Sequence, residues 1–251
     1  MSIYLQFLWI RLHIMGLCSF RWKILMIVII IILLWQSSKV LLSFTQDQVA
    51  EAKEILESKS MLIEQKANAK EIVHITVYYE TLCPDSRSFF VKHLLPTYMK
   101  LKENVEVTLI PYGKATTIQN DHTYEFKCQH GPIECQGNMI HACAIDLIKD
   151  QSLLLNYLSC MIKNNIEPVN IMEICAQKMN VDFNVILKCY SGAKGKELLA
   201  RYRERTNALK PRISFIPTIS LNNSVKNQAK ILRNLLQEVC LLFKIKPEGC
   251  L

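Results

Sequence analysis

The sequence predicts an α/β fold with a disulfide-rich helical insertion. Three observations carry this reading: a strand–helix–strand run between residues 72 and 113, a helix-patterned stretch holding six of the ten cysteines from Cys128 to about Tyr202, and a closing strand and helix from Ile213 onward. The chain has 251 residues and is 50% apolar, enough for one domain with extensions and too rich in Leu, Ile and Val for disorder.

The first strand is "IVHITVYY", Ile72 to Tyr79, whose β-branched and aromatic content suits a buried position. After Cys83-Pro84 the pattern turns helical, with Phe89, Phe90, Leu94, Leu95, Tyr98 and Leu101 near 3.6 spacing and Pro96 placed to kink the helix. "VEVTLIPYG", Val105 to Gly113, alternates and ends in Pro and Gly, so it reads as a second strand. The two strands should be parallel, joined by a right-handed crossover.

The insertion follows, and "ISFIPTISL", Ile213 to Leu221, then reads as a strand with a proline inside it. Proline removes a ladder hydrogen bond, so Pro217 implies either a cis turn or a strand that only begins there. Asn222-Asn223 make a turn, and "NQAKILRNLLQEVCLLF" reads as one amphipathic helix.

The N-terminal 70 residues are different in kind. Ile24 to Trp35 is an unbroken apolar run preceded by Arg21-Trp22-Lys23, the pattern of a signal peptide, with a retained type II membrane anchor as the alternative. A start at Met15 would give this signal a basic region of ordinary length. Residues 1–38 are therefore read as signal or anchor, 39–70 as a charged helical or disordered spacer, and 71–251 as the folded domain. The formal charge of +8 comes without a long Lys/Arg run interleaved with aromatics, which gives no ground for nucleic-acid binding.

Entry into the secretory pathway permits disulfides. With Cys18 set aside as lying before the apolar run, nine cysteines remain: Cys83, Cys128, Cys135, Cys143, Cys160, Cys175, Cys189, Cys240 and Cys250. An odd number implies a free thiol or an intermolecular bridge, and Cys83, isolated by more than forty residues, is the outlier. The other eight make four bridges, whose partners sequence leaves open among on the order of a hundred pairings. The sequon at Asn222 agrees with this compartment and makes Asn222 a glycosylation candidate.

Cys83 lies where a strand meets a helix, at unpaired backbone N–H groups and the positive end of the helix dipole, a setting that favours a thiolate. Ser86 occupies the place where a Cys-x-x-Cys site holds its resolving sulfur. A hydroxyl cannot resolve a mixed disulfide, but it can donate a hydrogen bond to the thiolate. Asp85 opposes ionisation of the sulfur while favouring the helix start.

"CQHGPIECQGN", Cys128 to Asn138, with Cys143 after it, resembles the Cys-Gln-His-Gly-x-x-Glu-Cys-x-x-Asn signature of the gamma-interferon-inducible lysosomal thiol reductase family. All the fixed positions are present: Cys128, Gln129, His130, Gly131, Glu134, Cys135 and Asn138. The resemblance spans the chain from about Val73 through "VYYETLC", "VTLIPYG" and "FIPTISLNN" to "VCLLFKIKPEGC". It implies a thioredoxin-like fold, a cis Pro217 beside the active cysteine, and reduction of protein disulfides in lysosomes or endosomes. Cys83 matches the nucleophile of the family and Ser86 departs from its resolving cysteine.

These readings lead to an oxidoreductase with Cys83, Ser86 and Pro217 as catalytic residues and Pro84, Asp85 and Ile216 at the substrate groove. Its expected partners are disulfide-containing proteins and small thiols, with no bound cofactor, glutathione as external reductant, and membrane contact only if the apolar segment is retained. The signature is read as structural, with Cys128 and Cys135 bridged in preference to a Cys-His-Cys zinc site, so no metal is expected. The alternative is a non-catalytic module of the same fold that captures cysteine-containing or unfolded partners.

Overall fold

In the computed structural model, which describes residues 20–68, 70–120 and 123–251, the chain divides into two units at the boundary of Ala69 and Lys70. The first holds one helix, α1 (Phe20–Asn68). Within it the stretch Trp22–Lys39, 18 residues of mean hydropathy 1.7, is long and apolar enough to cross a membrane, and it is exposed. The spacer is helical to Asn68, and its Val49, Ile55, Leu56 and Met61 are all exposed, with no core stripe. Cys18 and Met15 lie outside the described residues.

In the second unit β1 (Val73–Tyr79) is the central strand of a three-stranded sheet. It pairs in parallel with β2 (Val105–Pro111), from Val73 opposite Val105 to Tyr79 opposite Pro111, as the strand–helix–strand reading requires. β5 (Thr218–Leu221) pairs antiparallel on its other side, with Thr218 opposite Tyr78. Val73, Ile75, Val77, Tyr78 and Tyr79 are buried, while His74 is exposed and Thr76 half-buried, so one face of β1 is covered throughout and both faces only toward its end.

The crossover helix starts at Cys83 and has three parts: α2 (Pro84–Phe89), a π-turn over Phe90–Leu94, and α3 (Leu95–Leu101). Pro96 supplies no N–H to the preceding turn, and the ladder adapts by widening, the Leu95 N–H bonding the Phe90 carbonyl five residues back. The expected kink is therefore a π-bulge.

A hairpin that the sequence reading missed follows, β3 (Thr116–Asn120) against β4 (Thr123–Lys127). Five helices then form the insertion: α4 (Pro132–Leu147), α5 (Gln151–Lys163), α6 (Pro168–Met179), α7 (Phe183–Ser191) and α8 (Ala193–Ala208). Helix thus continues six residues past Tyr202. Asp150 caps α5 by accepting the Leu153 N–H at 2.6 Å, and Asp182 caps α7 through the Asn184 N–H at 2.9 Å.

Two expectations are corrected near the end of the chain. The strand expected from Ile213 begins only at Thr218, because Pro217 has no N–H for the ladder. The last helix is two, α9 (Gln228–Arg233) and α10 (Leu235–Cys240), because Asn234 leaves the helical conformation and its side chain caps α10 through the Gln237 N–H at 3.2 Å.

A buried histidine in the core makes stability depend on pH. His141 on α4 is fully buried, its Nδ1 2.9 Å from the Tyr79 hydroxyl, and burial pushes the imidazole from 6.5 down to about 3. The folded chain keeps this ring neutral at pH values where the unfolded chain takes up a proton. Its contribution is therefore whole above about pH 6.5 and is lost as pH falls from there toward 3. At pH 5 the loss is about 2 kcal/mol. A His141→Asn variant should flatten the unfolding free energy between pH 7 and pH 5; an unchanged slope would assign the pH dependence to other groups.

Candidate active site

Cys83 is the N-cap of α2, extended at φ −64° and ψ 121°, and its carbonyl accepts the Arg87 N–H at 3.0 Å. It is the one free cysteine among the described residues. The other eight form Cys128–Cys135, Cys143–Cys189, Cys160–Cys175 and Cys240–Cys250, which gives the four expected bridges their partners.

Cys83 is 8% exposed, and its sulfur faces the Ile216 carbonyl at 3.8 Å. The Ile216–Pro217 bond is cis. The fold therefore brings Cys83 to the Ile216–Pro217 segment, more than 130 residues further along the chain. Pro84 and Asp85 are exposed beside the sulfur's segment, and so is Phe215, which the sequence reading did not include.

Ser86 takes a different position from the expected one. It is wholly buried, and its hydroxyl accepts the Glu80 N–H at 3.4 Å; no hydrogen bond joins it to Cys83. The reason is helical geometry: side chains tilt toward the helix N-terminus, which sends this hydroxyl back to the end of β1. An open cleft of about 500 Å³ borders the same turn, lined by Pro84, Arg87, Ser88, Val91, Lys92 and Lys163. Its three cations were not singled out from sequence, because Lys163 arrives from the end of α5.

The signature residues hold the loop that carries Cys83. The Asn138 Oδ1 accepts both the Thr81 N–H at 3.0 Å and the Thr81 hydroxyl at 2.9 Å. A Cβ on Gly137 would lie 2.5 Å from Thr81 Oγ1, so only glycine permits this approach. Cys128–Cys135 closes the preceding loop onto the start of α4. Cys143 lies two turns further along α4 and ties it to α7. Gly131 turns the chain into α4 at φ 88°, and Gln129 is exposed.

His130 lies between two buried carboxylates. Its Nδ1 is 2.6 Å from Glu134 Oε2 and 3.5 Å from Glu80 Oε2, and its backbone N–H donates to Glu134 Oε1 at 3.1 Å. Glu80, at the end of β1, was not among the residues picked out from sequence. Burial pushes its carboxyl above the usual range, against the pull of the Lys114 N–H. An acid directly after an apolar strand was the available signal.

Asn222 is exposed on the turn after β5, its Oδ1 accepting the His74 N–H at 2.8 Å.

Residues 74–179 match the family described as gamma interferon inducible lysosomal thiol reductase. The chain is 33% identical over 190 residues to a gamma-interferon-inducible lysosomal thiol reductase of Carassius auratus, covering 74% of each chain. It is 31% identical to the protein of that name in Mus musculus, covering 71% of each. Among solved structures, Chlamydia trachomatis DsbA superposes with a TM-score of 0.51 at 12% identity, over 71% of this chain and 91% of that one, a likeness of fold.

Proposed function

The chain belongs to the gamma interferon inducible lysosomal thiol reductase family and is a thiol reductase of thioredoxin-like fold; from that premise we propose that it reduces protein disulfides through one sulfur, with an external thiol completing the cycle. The observation that carries this is a free Cys83 at a strand-to-helix junction, facing the Ile216–Pro217 segment, while the other eight cysteines of the domain are bridged to one another. As thiolate, Cys83 attacks one sulfur of a substrate disulfide; a mixed disulfide forms and the other substrate sulfur leaves and is protonated. Glutathione then attacks the Cys83 sulfur and releases the second substrate thiol. A second glutathione frees Cys83 and departs as oxidised glutathione, so two thiols are oxidised for one disulfide reduced.

Ser86 supports the dependence on an external thiol, since a hydroxyl at the sequence position of a resolving cysteine cannot attack a mixed disulfide. Pro84, Asp85 and Ile216 border the entrance, and Pro217 shapes it. The reaction belongs to the secretory pathway, in lysosomes, endosomes or outside the cell, reached through the apolar part of α1 as signal or anchor. Asn222 carries a glycan there.

Insulin reduction followed at pH 5 and pH 7 with increasing glutathione tests this proposal. The expected rate rises with glutathione and exceeds that of glutathione alone. Ser86→Cys should release a trapped mixed disulfide without added thiol, the serine being of nearly the same size. Adducts on the wild-type protein that glutathione fails to clear would instead favour the capture module.

A further inference from the structure

The end of β1 and the signature loop bring together three donor atoms that the disulfide chemistry does not use. Glu80 Oε1 is held by the Lys114 N–H at 2.7 Å, and a Cβ on Gly113 would fall 2.2 Å from Glu80 Cγ, so the carboxylate is seated against that turn. Its other oxygen, Oε2, is buried without a hydrogen-bond partner and turns toward His130. Glu134 repeats the arrangement, its Oε1 held by the His130 N–H and its Oε2 directed at His130 Nδ1. Each carboxylate thus has one oxygen anchored by the backbone and one aimed at a shared point. Glu80, His130 and Glu134 offer donor atoms all within 4.8 Å of one another.

We infer that Glu80, His130 and Glu134 form a binding site for a divalent transition-metal ion, with Oε2, Nδ1 and Oε2 as its protein ligands. One imidazole and two carboxylates suit zinc or a similar ion, and the nearby cysteines, being bridged, offer no thiolate. The Oε2 of Glu80 and Nδ1 of His130, 3.5 Å apart, match the roughly 3.4 Å edge of a tetrahedral zinc site. The shorter Glu134 contact opens as the ion replaces the shared hydrogen. The His130 side chain is 33% exposed, which leaves an entry path and room for water to complete the coordination. Two buried carboxyl groups, one with an orphaned oxygen, are an arrangement that a cation relieves. The backbone anchors are the outer-shell support such sites use.

Zinc alone is the probe, applied to the tag-free full chain carrying Cys83→Ala so that no free thiolate competes among the described residues. Equilibrium dialysis at pH 7 should give one zinc per chain. Adding His130→Gln, or Glu80→Gln, should weaken binding by about tenfold or more. His130 is the safer variant for folding, and a zinc-dependent rise in melting temperature, present without His130→Gln and absent with it, provides a second measurement. No saturable zinc, or binding unaltered by both substitutions, overturns the site. Because Cys83 is absent throughout, neither result bears on the reductase reading.

Discussion

Cys83→Ala is expected to bring insulin reduction down to the rate that glutathione gives alone, at both pH 5 and pH 7. Disulfide exchange needs a sulfur that can become a thiolate and reach the substrate. Among the described residues Cys83 is the one cysteine outside a bridge. Alanine keeps the extended backbone at the N-cap and the segment around Pro217, so the loss is of chemistry and not of shape. Cys83→Ser should fail equally, because a hydroxyl is not ionised at these pH values and forms no mixed disulfide. Alkylation followed by mass measurement is the companion test, with one reactive thiol fewer in each variant than in the wild type. Activity that survives both substitutions would place the exchange in a bridge instead, with Cys128–Cys135 beside the same loop the first to examine.

The parts of this site that sequence revealed are those set by local pattern or by counting. Ile72 to Tyr79 and Val105 to Gly113 read as parallel strands because a covered central strand demands an apolar run, and the odd cysteine pointed to Cys83. Direction was not legible. Position 86 is readable as one turn from the sulfur, but whether its hydroxyl faces the sulfur or the Glu80 N–H depends on where β1 ends against the helix. Glu80 was passed over for the same reason: its meaning comes from Lys114, His130 and Glu134, which only the tertiary fold delivers. The β3–β4 hairpin was missed because its strands are only five residues long: "TYEFK" alternates, but "TTIQN" holds a single apolar residue, so no matching run marks the partner strand. Disulfide partners were out of reach because many pairings share the same spacing.

Removing the Cys143–Cys189 bridge as a pair, Cys143→Ala with Cys189→Ala, should cost up to about 4 kcal/mol of unfolding free energy. Its sequence separation of 46 is the largest of the four, against 10 for Cys240–Cys250. The entropy withheld from the unfolded chain grows with the logarithm of the closed loop, so the Cys240–Cys250 pair should contribute nearer about 3 kcal/mol. Cys160–Cys175 lies inside the longer loop and already shortens it, which makes the higher figure an upper bound. Guanidinium unfolding of the two double variants measures the difference. Equal losses would mean that packing around fully buried Cys143, and not loop length, decides the effect. The bridge also bears on the active site, since it holds α4, whose Asn138 fixes the Thr81 backbone and so the loop leading to Cys83. Reductase activity in the Cys143/Cys189 variant should therefore disappear at the same lower temperature as its fold. Activity that vanished well below the unfolding midpoint would show instead that α4 lets go of Thr81 before the rest of the domain opens.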